Sequence, residues 1–184
     1  NAIADIIFGG VNPSGRLPIT FPKSLSQLPD YSDYSMDNRT YKFIDYDPMY
    51  PFGFGLSYSK FSYSETIINK SKIKIGESVQ ASIDIKNITK LAGEEVVQLY
   101  ITDLESSFRV PHSKLIGIKK ISLLPGETKN VKFLISSAMM SNINENGQMS
   151  LEPGNYKITI GPSSHWKESE SYGQSFSYSY FSLH

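Results

Sequence analysis

Four carboxylates and three imidazoles are the side chains of this sequence with the most obvious capacity for chemistry. Asp45 and Asp47 stand two apart in a Tyr-rich stretch, and Glu94 and Glu95 are adjacent. Two carboxyl groups about 5–5.5 Å apart can act as nucleophile and proton donor across a glycosidic bond. The spacing supplies no such pair. Glu94 and Glu95 occupy consecutive positions of a predicted strand, hence opposite faces, and all four carboxylates are expected on the solvated surface, where ionised side chains usually sit. His112, His165 and His184 are isolated, with no nucleophile-elbow pattern and no His/Asp/Glu cluster at ligand spacing, so neither Ser-His-Asp hydrolysis nor a metal site is expected. No cysteine is present, which removes disulfides, thiolate nucleophiles and thiolate metal ligation. The expected catalytic, cofactor-binding and metal-binding residues are therefore none.

Composition narrows the partners. Among 184 residues the 18 Lys and Arg balance 18 Asp and Glu, so there is no electrostatic footprint for nucleic acid or for an anionic membrane. No apolar run approaches the roughly 20 residues of a membrane span, and no charged-apolar-small leader opens the chain. A soluble protein is expected, with cytoplasmic and secreted locations not distinguished. The chain opens on Asn1 rather than Met, and a piece of a longer polypeptide is the reading this suggests.

The elements that must position any site divide at Met49–Tyr58, MYPFGFGLSY, where Pro51 fixes φ and Gly53 and Gly55 admit angles closed to other residues: a shaped loop. Before it, Ala2, Ile3, Ile6 and Ile7 keep helical spacing and Gly9-Gly10 is a stop. So short a helix needs a packing partner, which the rest of the chain does not obviously supply. Four prolines between positions 13 and 29 leave at most a short edge strand at Leu17–Phe21. Residues 31–48, rich in Tyr and Asp, read as a surface loop pinned by aromatic rings. After the loop the period becomes two: Val79, Ala81, Ile83 and Ile85 share a face, as do Val97, Leu99 and Ile101, Val131, Phe133 and Ile135, and Tyr156, Ile158 and Ile160. Weaker runs at 61–68, 115–123 and 174–183, the last read as an edge strand, bring the count to about seven, at sandwich-like spacing. Leu124-Pro125-Gly126-Glu127 and Glu152-Pro153-Gly154-Asn155 both read as Pro-Gly turns with positive φ at the glycine.

Two long motifs in order carry a resemblance. NPSGRLPITFP at 12–22 together with YPFGFGLSY at 50–58 resembles the carboxyl-terminal part of family 3 glycoside hydrolases, the β-glucosidase and β-xylosidase group. In that family the pattern A-x-A-D-x-x-x-G-x-x-N-P-S-G-[KR]-L-P-x-T-[FW]-P closes an α/β sandwich domain. Ala2, Ala4, Asp5, Gly9 and the run from Asn12 to Leu17 match it, as do Pro18, Thr20, Phe21 and Pro22. The resemblance continues through Arg39–Asp45, the Val79–Asn87 strand, AGEEVVQLY at 92–100, KLIGIKK at 114–120 and LPGE at 124–127. Phe54 stands where the family often has His. LEPGNY at 151–156 is similar to the tyrosine corner of fibronectin type III folds, which gives Gly154 and Tyr156 a structural role.

The resemblance implies a mainly β fold, a fibronectin type III-like, immunoglobulin-like β-sandwich of about seven strands at 59–184. Ahead of it, residues 1–58 form the tail of an α/β sandwich domain, one short helix and an irregular Pro-rich segment, plus a linker loop. It places the nucleophile Asp in an amino-terminal barrel and the acid/base Glu in the sandwich domain, both outside these residues. The chain is then a non-catalytic structural module, with Arg39, Tyr41, Asp45, Phe52 and Phe54 at a substrate-entrance or interdomain loop. Its partners would be the barrel and α/β sandwich domains of the same polypeptide, with self-association through the apolar groups of residues 1–30 when it is studied alone. The alternative is an autonomous carbohydrate-binding or partner-binding β-sandwich, with Trp166, Tyr172 and Tyr178 as a stacking platform. No cofactor is implied.

Overall fold

A computed structural model describes residues 1–165 and 174–184. One sheet is built on β4 (Val79–Asn87), which pairs antiparallel with β7 (Thr128–Ile135) and with the short β1 (Phe61–Tyr63) and β2 (Ile67–Ile68). The second runs β3 (Lys72–Ile73), β11 (Ser177–Leu183), β10 (Gly154–Gly161), β5 (Gly93–Asp103) and β6 (Lys114–Leu123), antiparallel except where β11 meets β3. A hairpin of β8 (Asn142–Ile143) and β9 (Met149–Ser150) and helix α3 (Ser137–Met140) complete this part. The protein is mainly β, a two-sheet sandwich preceded by a short helical tail.

The alternation in sequence becomes the core. Val79, Ala81, Ile83 and Ile85 of β4 are at most 1 % exposed and lie in one cluster with Val97, Leu99 and Ile101 of β5, Ile158 and Ile160 of β10, and Phe181 and Leu183 of β11. Each such side chain contributes about 1.5–3 kcal/mol on burial. Register follows: Val79 opposes Ile135, Ala81 opposes Phe133 and Ile83 opposes Val131. A slip by one residue would turn the apolar set to solvent.

Several local expectations change. The 61–68 run breaks into β1 and β2, because Ser64 exchanges backbone and side-chain bonds with Asp84 between them. The two-residue strands β3, β8 and β9 are too short to show a period. β11 is not wholly an edge, since β3 adds parallel to it at Ser182 and Leu183. Gly126 takes the left-handed turn angle, φ 75°, whereas Gly154 at φ 157° is nearly extended and opens β10. Leu17–Phe21 forms no strand, only an isolated bridge from Phe21 to Tyr50, as its prolines remove ladder donors. Residues 31–48 include one helical turn, α2 (Thr40–Phe43).

The Tyr156 hydroxyl donates to the Glu152 carbonyl at 2.8 Å, and its ring stacks on Phe181 with centroids 5.6 Å apart. Burial, with the nearby Asp103 carboxyl, pushes that hydroxyl's pKa up. Tyr156→Phe is expected to cost about 1 kcal/mol, the net worth of one hydrogen bond; an unchanged urea midpoint would remove the bond from the account. Trp166 and Tyr172 of the stacking platform lie outside the described residues. Tyr178 is half-buried, with Lys157 Nζ 4.4 Å from its ring centroid, a cation over a face that a sugar would need. No described helix is long and apolar enough to cross a membrane.

Candidate functional site

The stretch before the sandwich, residues 1–58, contributes an arm laid against β5 and its neighbours, and the contact between arm and sandwich gathers several buried polar groups, Ser59, Glu95, Gln98 and Ser164 among them. Asn12 is one anchor. Its amide nitrogen donates to Ser59 Oγ and to the Ala92 carbonyl, both at 2.9 Å, while its oxygen accepts from Ser57 Oγ and the Tyr58 N–H, also at 2.9 Å. All four hydrogen-bonding capacities of the side chain are filled. Gly55 lets the 49–58 loop pack against the Pro-rich segment, because a Cβ there would lie 2.2 Å from the Gly15 carbonyl oxygen.

Arg16 is the second anchor. Its Nη2 donates to Glu95 Oε2 at 2.9 Å, and the Tyr63 hydroxyl donates to Glu95 Oε1 at 2.9 Å. The Arg16 and Glu95 side chains are only 9 % and 3 % exposed. Glu95 shares the inward face of β5 with Val97 and Leu99, so the expectation of a solvated carboxylate fails there; the sequence pattern does not show that Arg16 arrives to pair it. Burial raises the Glu95 pKa, against the opposing pull of Arg16 and Tyr63. Burial and the adjacent Glu95 charge hold the Tyr63 hydroxyl well above its usual range. Glu94, one residue earlier and on the opposite face, bonds to Lys120 at 2.7 Å and Ser14 at 2.8 Å, and its pKa is lowered by these two. Two adjacent glutamates are thus pushed apart by their surroundings, yet each is taken up by structural partners.

Aromatic rings carry the rest of the contact. Tyr41 stacks on Phe52 at 4.4 Å between centroids and meets Tyr100 edge-on at 5.9 Å; Tyr50 stacks on Phe54 at 5.2 Å. Gln98 of β5 reaches through this layer, donating to the Gly53 carbonyl at 3.1 Å and to the Pro162 carbonyl, and accepting from the Tyr100 hydroxyl at 2.6 Å. Consequently Gln98 and Tyr100 are buried although they lie on the face away from the sandwich core.

Of the residues singled out from sequence, Tyr41 and Phe52 stack on each other and Phe54 stacks on Tyr50, in packing of the arm on the sheet. Arg39 and Asp45 do not join them. Arg39 donates to the Ser35 carbonyl at 2.9 Å and to the Asp33 carbonyl, bracing its own loop. Asp45 is exposed and pairs with His112 Nε2 at 3.2 Å. Arg39 lines a groove of about 960 Å³ whose walls also include Ile19, Tyr31, Tyr34 and Tyr46, and Asp45 directly precedes Tyr46 in the chain. Sequence reasoning missed the roles of Asn12, Arg16, Tyr63 and Gln98. Arg16 left one trace, as the only charged residue between Pro13 and Pro22. Among the described residues no three His, Asp or Glu side chains gather as a metal site.

Two family models match parts of the chain. Residues 1–58 match the glycosyl hydrolase family 3 C-terminal domain, and residues 95–164 match the fibronectin type III-like domain. A putative β-xylosidase of Formosa agariphila is 43 % identical over 165 residues, covering 88 % of this chain and 22 % of the relative. Thermostable β-glucosidase B of Acetivibrio thermocellus is 40 % identical over 177 residues, 89 % of this chain and 23 % of the relative. The solved β-glucosidase of Erythrobacter marinus superposes with a TM-score of 0.82 at 34 % identity, over 100 % of this chain and 23 % of that one. The chain thus spans less than a quarter of the length of these relatives. It belongs to glycosyl hydrolase family 3, and corresponds to the carboxyl-terminal region in which the end of the C-terminal domain is joined to a fibronectin type III-like domain.

Proposed function

We propose that this chain is the non-catalytic structural module of a β-glycosidase, a protein that hydrolyses O-glycosidic bonds of β-linked sugars in carbohydrate metabolism. In this reading residues 1–58 are the tail of the α/β sandwich domain with its linker, and residues 59–184 are the β-sandwich that braces it. The observation that carries it is the buried Arg16–Glu95 pair, which fixes the arm to the sandwich while the other side of the arm stays apolar and open. Ile3, Ile7 and Phe8 are 76 %, 68 % and 88 % exposed. That face suits the barrel and α/β sandwich domains of the same polypeptide, and is the one from which self-association is expected in isolation. The carboxylates Asp45, Glu94 and Glu95 are engaged with His112, Lys120 and Arg16, which supports structural rather than catalytic roles. Tyr41, Phe52 and Phe54 act as the interdomain packing, with Arg39 and Asp45 at the rim of the open groove.

Hydrolysis of nitrophenyl β-glucoside and β-xyloside is the direct test. Turnover is expected from the longer polypeptide that contains this region and not from the 184-residue chain. Release of nitrophenol by the shorter chain alone would overturn the assignment.

A further inference from the structure

The arm and the sheet do not close completely on one another. They leave a cavity of about 110 Å³ bordered by Thr20 and Tyr41 of the arm, Thr102 of β5, Lys157 and Thr159 of β10, and His112; neither Asp nor Glu lines it among the described residues. The polar groups on its wall are hydroxyls, two imidazoles and one ammonium. Thr20 Oγ1 is buried with no partner, a condition that native proteins relieve with water or a bound species. The Tyr41 hydroxyl already accepts from the Leu115 N–H at 3.0 Å, so its own proton remains to be given. Lys157 carries three donors and no acceptor, held over the Tyr178 ring. His112 and Thr102 are tied to each other, the Thr102 hydroxyl donating to the His112 carbonyl at 2.9 Å, and the His112 ring faces Asp45 outward.

We propose that this cavity binds a small tetrahedral oxyanion, phosphate or sulfate, through Lys157, the Thr20 hydroxyl and the Tyr41 hydroxyl. The wall offers the positive charge of Lys157 and hydroxyl protons, with no carboxylate among the described lining residues. An anion placed there completes the Thr20 hydrogen bond, and it bridges arm and sheet where protein groups do not meet. A neutral polyol would satisfy the hydroxyls but gain nothing from the ammonium charge, so charge selectivity distinguishes the two guests.

Calorimetric titration of the 184-residue chain tests this, with sodium phosphate, sodium sulfate and glycerol in separate runs at constant ionic strength. Saturable one-site binding of either anion below about 10 mM is expected. Lys157→Met is expected to weaken it about tenfold, the loss of one charge-assisted contact. Thr20→Val removes only the unpartnered hydroxyl, and is expected to weaken it about threefold while circular dichroism stays unchanged. No saturable heat with either anion, affinity undiminished in Thr20→Val, or equal binding of glycerol would each overturn the proposal.

Discussion

Replacing Arg16 with Met is expected to lower the stability of the chain by about 3–5 kcal/mol near pH 7, the usual loss when one member of a buried ion pair is removed, and by clearly less near pH 5. Met keeps much of the aliphatic stem, so the lost packing is small beside the lost charge. What remains is Glu95, 2 % exposed, facing Tyr63 with no cation beside it. Its pKa is already raised by burial while Arg16 pulls it down; without Arg16 it rises further. A carboxyl whose folded pKa exceeds its unfolded value binds its proton more readily in the folded state. Its contribution is therefore most favourable at low pH and is lost as pH rises from the unfolded value of about 4.3 through the raised folded value. The deficit of the variant must then shrink on acidification. Glu94, half-buried and with a lowered pKa, runs the other way, but it is present in both proteins and cancels in the difference. Urea unfolding at the two pH values gives the answer, and an identical deficit at both would sink the account. The double variant with Glu95→Gln is expected to recover part of the loss at pH 7, since no unpaired charge stays inside.

The second large effect is expected from Gly53→Ala, which should cost about 2–4 kcal/mol. Gly53 sits at φ 79°, where a side chain adds about 1–2 kcal/mol of strain. The new Cβ would stand 2.2 Å from Gln98 Oε1 and 2.8 Å from Nε2. Gln98 cannot step aside without abandoning the Gly53 and Pro162 carbonyls and the Tyr100 hydroxyl, and leaving buried polar groups unpaired costs about 1–3 kcal/mol. Gly15→Ala is the matched control, because nothing lies within 4 Å of a Cβ there; a change of no more than about 0.5 kcal/mol is expected. Equal denaturation midpoints for Gly53→Ala and the parent chain would show that Gln98 does not hold the arm.

The sandwich was legible because each strand carries its own instruction. Val79 to Ile85 alternate strictly, and burial in the structure follows the same alternation, as it does for Val131 to Ile135, whereas between Ile158 and Ile160 Thr159 is buried too. The arm was legible only in outline. Its helix forms where the apolar spacing places it, Ala2–Ile7, yet none of its residues is buried, so the pattern announces a contact without naming the partner. Tyr41, Phe52 and Phe54 could be picked out as an aromatic group near one loop, but an aromatic group that stacks on a sugar and one that packs on a sheet have the same composition.

Position along the strand betrayed the inward and outward faces of β5, and the resemblance of the two motifs fixed the family to which the chain belongs. The fate of Glu95 depended on something no local pattern carries: a residue 79 positions away, brought to 2.9 Å by the folding of the arm. A charge reads as solvated until its counter-ion is placed in space, because the cost of burying it and the attraction that offsets that cost are both set by geometry. Gln98 and Tyr100 teach the same point on the outer face, which the sequence leaves polar for water and the tertiary structure closes with Gly53 and Tyr41.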